Sequence, residues 1–347
     1  MANWQPRLSG RSGPKYQQIV DAIAEDIAMG ALPDGTRLPP QRILAYSLDI
    51  SPNTTGRAYA EAVKRGLLNG EVGRGTYVRA FSPQSAHTVS ADMLRPAQGP
   101  IDFSRNLPTP GPAARYLRDT LAALQNTSRL QPFLDYQSSS DIDHHLDAAI
   151  DWLARSAVPA QRDEVVITNG AQHGLFSVLV AMLSPGDLLL TEALTYAPIR
   201  AMAERLGLRL ASVAMDERGI CPDALTEICQ DRAPKALYLM PNLHTPTTLT
   251  IDIDRRTAIA EVARRHDLIL IEDDVFGRLK PECPLPLASL APERTIYITS
   301  ISKCLSPGLR VGFVRTPAPH TTALRGAINL SCWMTPPLMV EIAARWI

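Results

Sequence analysis

The sequence has few of the features that mark secreted, membrane or metal-bound proteins. Its 347 residues include only five cysteines, and no two of them form a Cys-x-x-Cys pair, so neither a disulfide framework nor a cysteine zinc site is predicted. The longest apolar run, 175–183, is far shorter than the roughly 18 residues that a membrane helix needs. The N-terminal stretch has no apolar core of a secretory signal. We therefore expect a soluble, cytoplasmic protein with no metal ion and no membrane contact.

A net charge is also lacking, because 35 Lys and Arg residues balance 35 Asp and Glu residues. The balance is uneven along the chain. Residues 1–80 hold ten basic and seven acidic side chains (+3), and the remainder holds 25 basic and 28 acidic ones (−3). This asymmetry favours an N-terminal module that contacts a polyanion.

The first eighty residues predict three helices and a β-hairpin. Apolar residues recur at three- and four-residue spacing over 16–27, which indicates a first helix. A second helix is expected over 40–48 and a third over 52–64, with Ser51 as its N-cap. The glycine-rich segment 67–78 then indicates two short strands. This order is that of a winged helix-turn-helix, whose third helix enters the major groove while the hairpin contacts the backbone or minor groove.

The same segment resembles the DNA-binding domain of the GntR superfamily. The resemblance rests on the stretches GTRLPPQRILAYSLDIS, NTTGRAYAEAVKRGLL and GEVGRGTYV. It implies operator DNA as a partner and the following DNA-facing residues: Arg42, Ser51, Asn53, Thr54, Thr55, Arg57, Arg74 and Gly75. One position departs from the family, which usually carries arginine directly after the capping serine, where this chain has Pro52. The alternative to DNA binding for three helices followed by a hairpin is a role as a protein-interaction module.

A second domain is predicted over residues 101–347, after a linker over 81–100 that is rich in Ser, Pro, Ala and Gln. Beyond residue 160, apolar β-rich runs alternate with helical patterns. This alternation predicts an α/β domain with a mostly parallel seven-stranded sheet and helices on both faces, in which ligands bind beyond the carboxyl ends of the strands. The predicted strands are 165–168, 188–191, 208–213, 236–240, 268–272, 295–299 and 311–315.

The segment SISKCLSPGLRVG, from Ser300 to Gly312, lies between two of these strands. Lys303 is flanked there by Ser300 and Ser302 and followed by Arg310, and hydroxyl groups beside a guanidinium are suited to holding a phosphate. The pattern resembles the cofactor-lysine motif of the fold-type I pyridoxal phosphate proteins, the aspartate aminotransferase superfamily. The resemblance implies pyridoxal 5′-phosphate as the cofactor and Lys303 as the residue that forms a Schiff base with it.

Further cofactor contacts are implied by the same resemblance. Gly170, Ala171 and Gln172 follow the first predicted strand and begin a helix whose free N–H groups suit a phosphate. Tyr196 is the aromatic ring expected to stack on the cofactor. Asp273 is the carboxylate expected to pair with the pyridinium nitrogen.

Two positions near the implied cofactor depart from the family pattern. Thr245 stands where an asparagine would reach the ring hydroxyl of the cofactor, and Phe276 stands where a tyrosine would share that oxygen. Asn242 and His244 are candidates to replace them. The family's chains also continue well beyond a segment such as 336–346, so we expect a C-terminally incomplete domain, either a fragment or one that has lost a subdomain and its substrate-carboxylate arginine.

A GntR-like DNA-binding domain followed by an aminotransferase-like domain resembles the MocR-type transcriptional regulators. This resemblance implies a homodimeric, pyridoxal phosphate-dependent regulator whose effector is an amino compound or pyridoxal phosphate itself. Two alternatives stay open. The first alternative is a working aminotransferase with a vestigial DNA-binding domain. The second is a DNA-binding protein whose sensor domain no longer holds cofactor.

Overall fold

The computed structural model of the chain divides it into two compact units, residues 1–95 and 96–347. None of the described helices is both long and apolar enough to cross a membrane. The predicted linker over 81–100 lies outside the residues that the structure describes. Those residues are 4–8, 13–28, 31–33, 35–65, 67–71, 75–78, 106, 108, 113–127, 130–137 and 142–347.

The first unit contains the predicted three helices and hairpin. The helices are α1 (Lys15–Ala28), α2 (Gln41–Ser47) and α3 (Pro52–Lys64), and the hairpin pairs β1 (Leu68–Glu71) with β2 (Gly75–Val78) in antiparallel register. Helix α3 begins as expected, because the Ser51 hydroxyl accepts a hydrogen bond from the backbone N–H of Asn53 and Pro52 occupies the tolerant first turn. Apolar side chains from all three helices and both strands close one small core.

The second unit is built from nine described helices and nine described strands. The helices are α4 (Ala113–Gln125), α5 (Asp143–Ala154), α6 (Ala171–Met182), α7 (Pro198–Arg205), α8 (Pro222–Arg232), α9 (Ile253–Arg265), α10 (Leu287–Leu290), α11 (Ala318–Cys332) and α12 (Pro337–Trp346). The strands are β3 (Val165–Thr168), β4 (Leu188–Glu192), β5 (Arg209–Val213), β6 (Met215–Asp216), β7 (Gly219–Ile220), β8 (Ala236–Leu239), β9 (Ile269–Asp273), β10 (Thr295–Ser300) and β11 (Gly312–Arg315).

Seven of these strands form one sheet in the order β3-β11-β10-β9-β8-β4-β5. Only β11 runs antiparallel to its neighbours, so the sheet is mixed but mostly parallel. All seven predicted strands are present, each within one residue of its predicted bounds at either end. The small β6–β7 ribbon, by contrast, was not expected from the sequence.

Helices cover both faces of the sheet, as the continuous apolar strands require. Leu189 packs in one cluster with α6, α7 and α11, whereas its neighbour Leu190 packs in another with α8, α9 and α10. A third cluster joins α4, α5 and α12 to β10 and β11. This arrangement leaves the carboxyl-terminal edge of the sheet as the place where polar side chains gather.

Candidate functional site

The candidate site lies where β3, β9 and β10 end. These strands run in the same direction, since β9 and β10 pair in parallel and β3 and β10 are both antiparallel to β11 between them. Asp273 is the last residue of β9, Gly170 and Lys303 lie in the segments that follow β3 and β10, and Arg310 lies two residues before β11. The fold therefore brings together residues that lie far apart in the sequence.

Lys303 sits in the turn after β10 with a half-buried side chain. Its Nζ donates a hydrogen bond to the backbone carbonyl of Asn106 over 2.6 Å and lies 5.5 Å from the ring centroid of Phe276. Burial lowers the pKa of Lys303, and the nearby positive charge of Arg310 lowers it further, while Asp273 opposes both effects. A lysine with a lowered pKa supplies more of the neutral amine that attacks carbonyl carbons.

Asp273 ends β9 with a buried carboxyl group. Its Oδ2 accepts a hydrogen bond from the Tyr238 hydroxyl over 2.8 Å, and its Oδ1 is buried without a partner among the described residues. Desolvation raises the pKa of Asp273 to about 7, although the hydrogen bond from Tyr238 acts in the opposite direction. An unpaired buried carboxylate oxygen is costly, and a protonated ring nitrogen is the kind of partner that would satisfy it.

A cradle for an anion lies at the start of α6. Within the described residues no side chain caps this helix, so its first N–H groups are available to a ligand. Gly170 has a φ of +81°, and a Cβ there would lie only 2.8 Å from Nη2 of Arg310, so glycine lets the guanidinium close over the turn. The Ser302 hydroxyl is buried without a partner among the described residues. These donors fit the phosphate of the implied cofactor.

The other predicted cofactor residues differ in burial and contacts. Tyr196 is half-buried, and its pKa is raised by burial and then by the charge of Asp273, while Arg310 lowers it. Ala171 and Gln172 occupy the first turn of α6, the former half-buried and the latter exposed. Ser300 is buried, and its Oγ accepts a hydrogen bond from the backbone N–H of Ser302 over 3.4 Å. Thr245 is half-buried in the loop after β8.

Asn242 and His244, the two candidate replacements, are held by other contacts. The Asn242 amide nitrogen donates to Asp274 over 3.0 Å, and its oxygen accepts from Arg256 over 2.6 Å. The His244 ring contacts Glu192 at 3.3 Å and Thr247 at 2.7 Å. Both side chains thus stabilise the framework beneath the site. Tyr238 and Asn106 were missed by sequence reasoning, because the first lies in an apolar strand and the second contacts Lys303 only through its backbone.

The first unit presents four of its eight predicted DNA-facing residues to solvent. Arg42, Ser51, Asn53 and Arg57 are exposed, and the Arg57 guanidinium stacks on Tyr16 at 4.0 Å from the ring centroid. Thr54 is half-buried and Gly75 begins β2, whereas Arg74 lies outside the described residues.

Two residues of this unit change the predicted interface. Thr55 is fully buried, and its hydroxyl donates to the backbone carbonyls of Gln41 and Pro52, so the expectation that it faces DNA is corrected. Arg37 is exposed and lies over the Tyr77 ring, with its Nε 2.8 Å from the position that a Cβ on Gly75 would take. Arg37 belongs to one of the stretches that resemble the GntR superfamily, although no role was predicted for it.

Comparisons with known proteins agree with these two units. Residues 100–347 match the family described as aminotransferase class I and II, and residues 15–78 match the bacterial regulatory proteins of the gntR family. The chain is 30% identical to the HTH-type transcriptional regulator TauR of Rhodobacter capsulatus, over 94% of this chain and 72% of that protein. It is 29% identical to the vitamin B6 salvage pathway transcriptional repressor PtsJ of Salmonella typhimurium, over 93% and 73%.

Solved aminotransferases share the fold of the second unit. An archaeal alanine:glyoxylate aminotransferase superposes with a TM-score of 0.65 at 22% identity, and LysN, the α-aminoadipate aminotransferase of Thermus thermophilus, with 0.63 at 28%. Each match covers 70% of this chain and only 62% of the solved chain. With a gntR-family helix-turn-helix preceding an aminotransferase class I and II domain, the chain belongs to the MocR-type HTH transcriptional regulators.

Proposed function

We propose that this regulator holds pyridoxal 5′-phosphate at Lys303 and changes its affinity for operator DNA when an amino compound, or the cofactor itself, binds there. The observation that carries the proposal is a pair of buried oxygens, Asp273 Oδ1 and Ser302 Oγ, that have no hydrogen-bond partner in the described part of the chain and lie beside a lysine of lowered pKa. Buried polar atoms are normally paired, so two orphans around one amine indicate a ligand with complementary polar groups.

Each residue has a distinct part in binding. Lys303 supplies the amine, and Asp273 supplies an oxygen for a ring nitrogen. The first turn of α6, Ser302 and Arg310 supply donors and positive charge for a phosphate. When bound, the cofactor provides an electrophilic carbonyl carbon that lysine or an incoming amine attacks. The family resemblance further implies a homodimer, whose two DNA-binding domains would bind the two halves of a repeated operator.

The sensing role is favoured over catalysis by the surroundings of Lys303. Phe276 is buried, with its ring 5.5 Å from Nζ, and it has no hydroxyl to share in tuning a proton. Asn242 and His244 are bound elsewhere, to Asp274 and Arg256 and to Glu192 and Thr247 respectively. The absence of such groups should raise the free-energy barrier of the chemical step more than it weakens ligand binding. An active aminotransferase remains the second candidate, because solved proteins that share the fold, such as LysN, are aminotransferases.

The effector class follows from the chemistry of the site and from one relative. An incoming primary amine competes with Lys303 for the same carbon, so amino acids and amines are suited to the site. PtsJ is described as a repressor of vitamin B6 salvage, which adds pyridoxal phosphate itself as an effector. An effector acts only if one arrangement of the regulator binds it better than another does.

The test begins with cofactor attachment. We expect the full chain incubated with pyridoxal phosphate to gain an absorbance band that borohydride fixes to one lysine, identified by peptide mapping as Lys303. Lys303→Ala should lose the fixed label, while the exposed control Lys235→Ala should keep it. Label on another lysine, or no label with excess cofactor, would contradict the proposal.

A second measurement separates sensing from turnover. A panel of amino acids and amines is tested for operator binding and, in parallel, for amino-group transfer to a keto-acid acceptor. We expect an amine-dependent change in DNA affinity with slow or absent transfer. Transfer at ordinary enzyme rates, roughly 1–100 per second, with unchanged DNA affinity would favour the aminotransferase instead.

A further inference from the structure

A cluster of two histidines and a glutamate lies between α5 and α12, and none of the three belongs to the candidate cofactor site. Nε2 of His144 is 2.7 Å from Oε2 of Glu341, and Nε2 of His145 is 3.0 Å from the same oxygen. The three ligand atoms all lie within 4.8 Å of one another. The two histidines are adjacent in sequence, and their ring centroids are 3.9 Å apart. Each imidazole directs its own Nε2 atom to the same carboxylate oxygen.

The chemistry of this cluster matches that of a transition-metal site. Imidazole nitrogen and carboxylate oxygen are ligands of zinc-class ions, with bonds of about 2.0–2.2 Å. Tetrahedral ligands at that bond length lie about 3.3 Å apart, so the two nitrogen–oxygen spacings of 2.7 and 3.0 Å need to open by about 0.3–0.6 Å. The His144 side chain is 59% exposed, which gives an ion and a water ligand a path from solvent.

Glu341 is oriented to act as a ligand. Its other oxygen, Oε1, accepts a hydrogen bond from Nε of Arg345 over 2.7 Å, which fixes the orientation of the carboxylate. Glu341 is only 5% exposed, and its two carboxylate oxygens face His144, His145 and Arg345.

We propose that His144, His145 and Glu341 bind one divalent transition-metal ion of the zinc class, with water completing the coordination. The expectation of no metal ion rested on the scattered cysteines, and this site uses none. A metal here links the first turn of α5 to the middle of α12, two helices separated by nearly two hundred residues of chain. Its role is structural, because it joins two packed helices and none of its ligands belongs to the candidate cofactor site.

The proposed ion would also brace the turn that carries Lys303. Trp152 of α5 donates its indole N–H to the Thr299 hydroxyl, over 3.3 Å, on the strand that leads into that turn. Val340 and Ala343 of α12 pack in the same buried cluster as Leu309, which follows Lys303 in the turn. Holding α5 against α12 therefore stabilises both flanks of the lysine segment.

The test measures zinc binding by the untagged full chain. Equilibrium dialysis against buffered Zn²⁺, with the bound metal counted by mass spectrometry, should show one tight site per chain. His144→Ala should weaken this site at least tenfold without unfolding the protein, since His144 is exposed. His320→Ala is the matched control, because His320 lies on α11 outside the cluster, and it should bind like the wild type.

Two further measurements keep the result unambiguous. Zn²⁺ should raise the thermal midpoint of the wild type and of His320→Ala, but not that of His144→Ala. Co²⁺ in place of Zn²⁺ should give visible absorption bands, which Glu341→Gln loses while its circular dichroism stays native. Equal zinc binding by the wild type and His144→Ala, or only weak binding of several ions per chain, would show a hydrogen-bonded cluster with adventitious metal and overturn the proposal.

Discussion

Tyr238 donates its hydroxyl hydrogen to Oδ2 of Asp273 over 2.8 Å within the buried sheet. Both side chains are almost completely enclosed, and burial raises the pKa of Tyr238 well above its ordinary value, so the tyrosine stays a donor at any physiological pH. The bond occupies one carboxylate oxygen and leaves Oδ1 without a partner among the described residues. Tyr238 thus positions the Asp273 carboxyl group, which in the proposed function would bind the ring nitrogen of the cofactor.

Tyr238→Phe should weaken binding of pyridoxal phosphate. The change removes a hydrogen bond to a buried charged group, which is worth roughly 1.5–3 kcal/mol, so a loss of affinity on the order of 10- to 100-fold is expected. Titration of the cofactor-free chain by absorbance measures it. Tyr297→Phe is the control, because it removes a similar buried hydroxyl, 2.5 Å from Asp274 rather than from Asp273. A larger loss of affinity in the control would place the important contact at Asp274.

The stability of the cofactor-free chain should depend on pH through Asp273. Its pKa is about 7 in the folded chain against an ordinary 3.8, so between these values the folded state keeps a proton that the unfolded state has lost. Stability from this group is therefore full below about pH 4 and is lost as the pH rises to about 7. As the pH rises from 4.5 to 7.5, the free energy of unfolding of Asp273→Asn should increase relative to that of the wild type by on the order of 2–4 kcal/mol.

Urea unfolding of both chains, followed by the fluorescence of the four tryptophans, three of which lie in the second unit, measures this difference. The exposed Asp231→Asn is the matched control and should track the wild type over the same pH range. A constant difference between Asp273→Asn and wild type across that range would mean that Asp273 is ionised throughout.

Lys303 should be unusually reactive at moderate pH. Burial lowers its pKa below the ordinary 10.5, and the charge of Arg310 adds to this effect. Competitive labelling with a trace of acetic anhydride, followed by mass spectrometry, gives the titration of each lysine. The midpoint for Lys303 should lie below 10.5, rise in Arg310→Ala and fall in Asp273→Asn, because the two charges act in opposite directions. An unchanged midpoint in both variants would place the amine outside the influence of these groups.

Much of this architecture could be predicted because buried parallel strands are continuous apolar runs that sequence alone reveals. The Lys303 segment could be recognised because its serines, turn and arginine are contiguous. Contacts across long separations could not be predicted in this way. Glu341 meets His144 across 197 positions, and Tyr238 sits in the run Ala236–Leu239, where it is indistinguishable from a core residue.

Thr55 illustrates a different limit. A threonine on the third helix of a DNA-binding unit has a polar side chain of the right kind for a DNA contact. Its position on the helix turns it inward, and its hydroxyl is consumed by two backbone carbonyls. Which face of a short helix is buried depends on its packing against α1 and α2, and one step around the helix decides the outcome.

Arg37 should matter as much as Arg42 for DNA binding. Both side chains are exposed, and Arg37 lies beside Gly75, the first residue of β2, which pairs with the last residue of β1. If Arg37 contacts a phosphate, Arg37→Ala should weaken binding to a mixed-sequence duplex by about tenfold at low salt and reduce the slope of log affinity against log salt by about 1. Arg65→Ala is the control, because Arg65 already pairs with Asp21 and Glu61. Fluorescence anisotropy of the full chain at several salt concentrations measures both quantities. If Arg65→Ala changes the slope as much as Arg37→Ala does, the effect reflects the overall charge of the unit and Arg37 makes no phosphate contact.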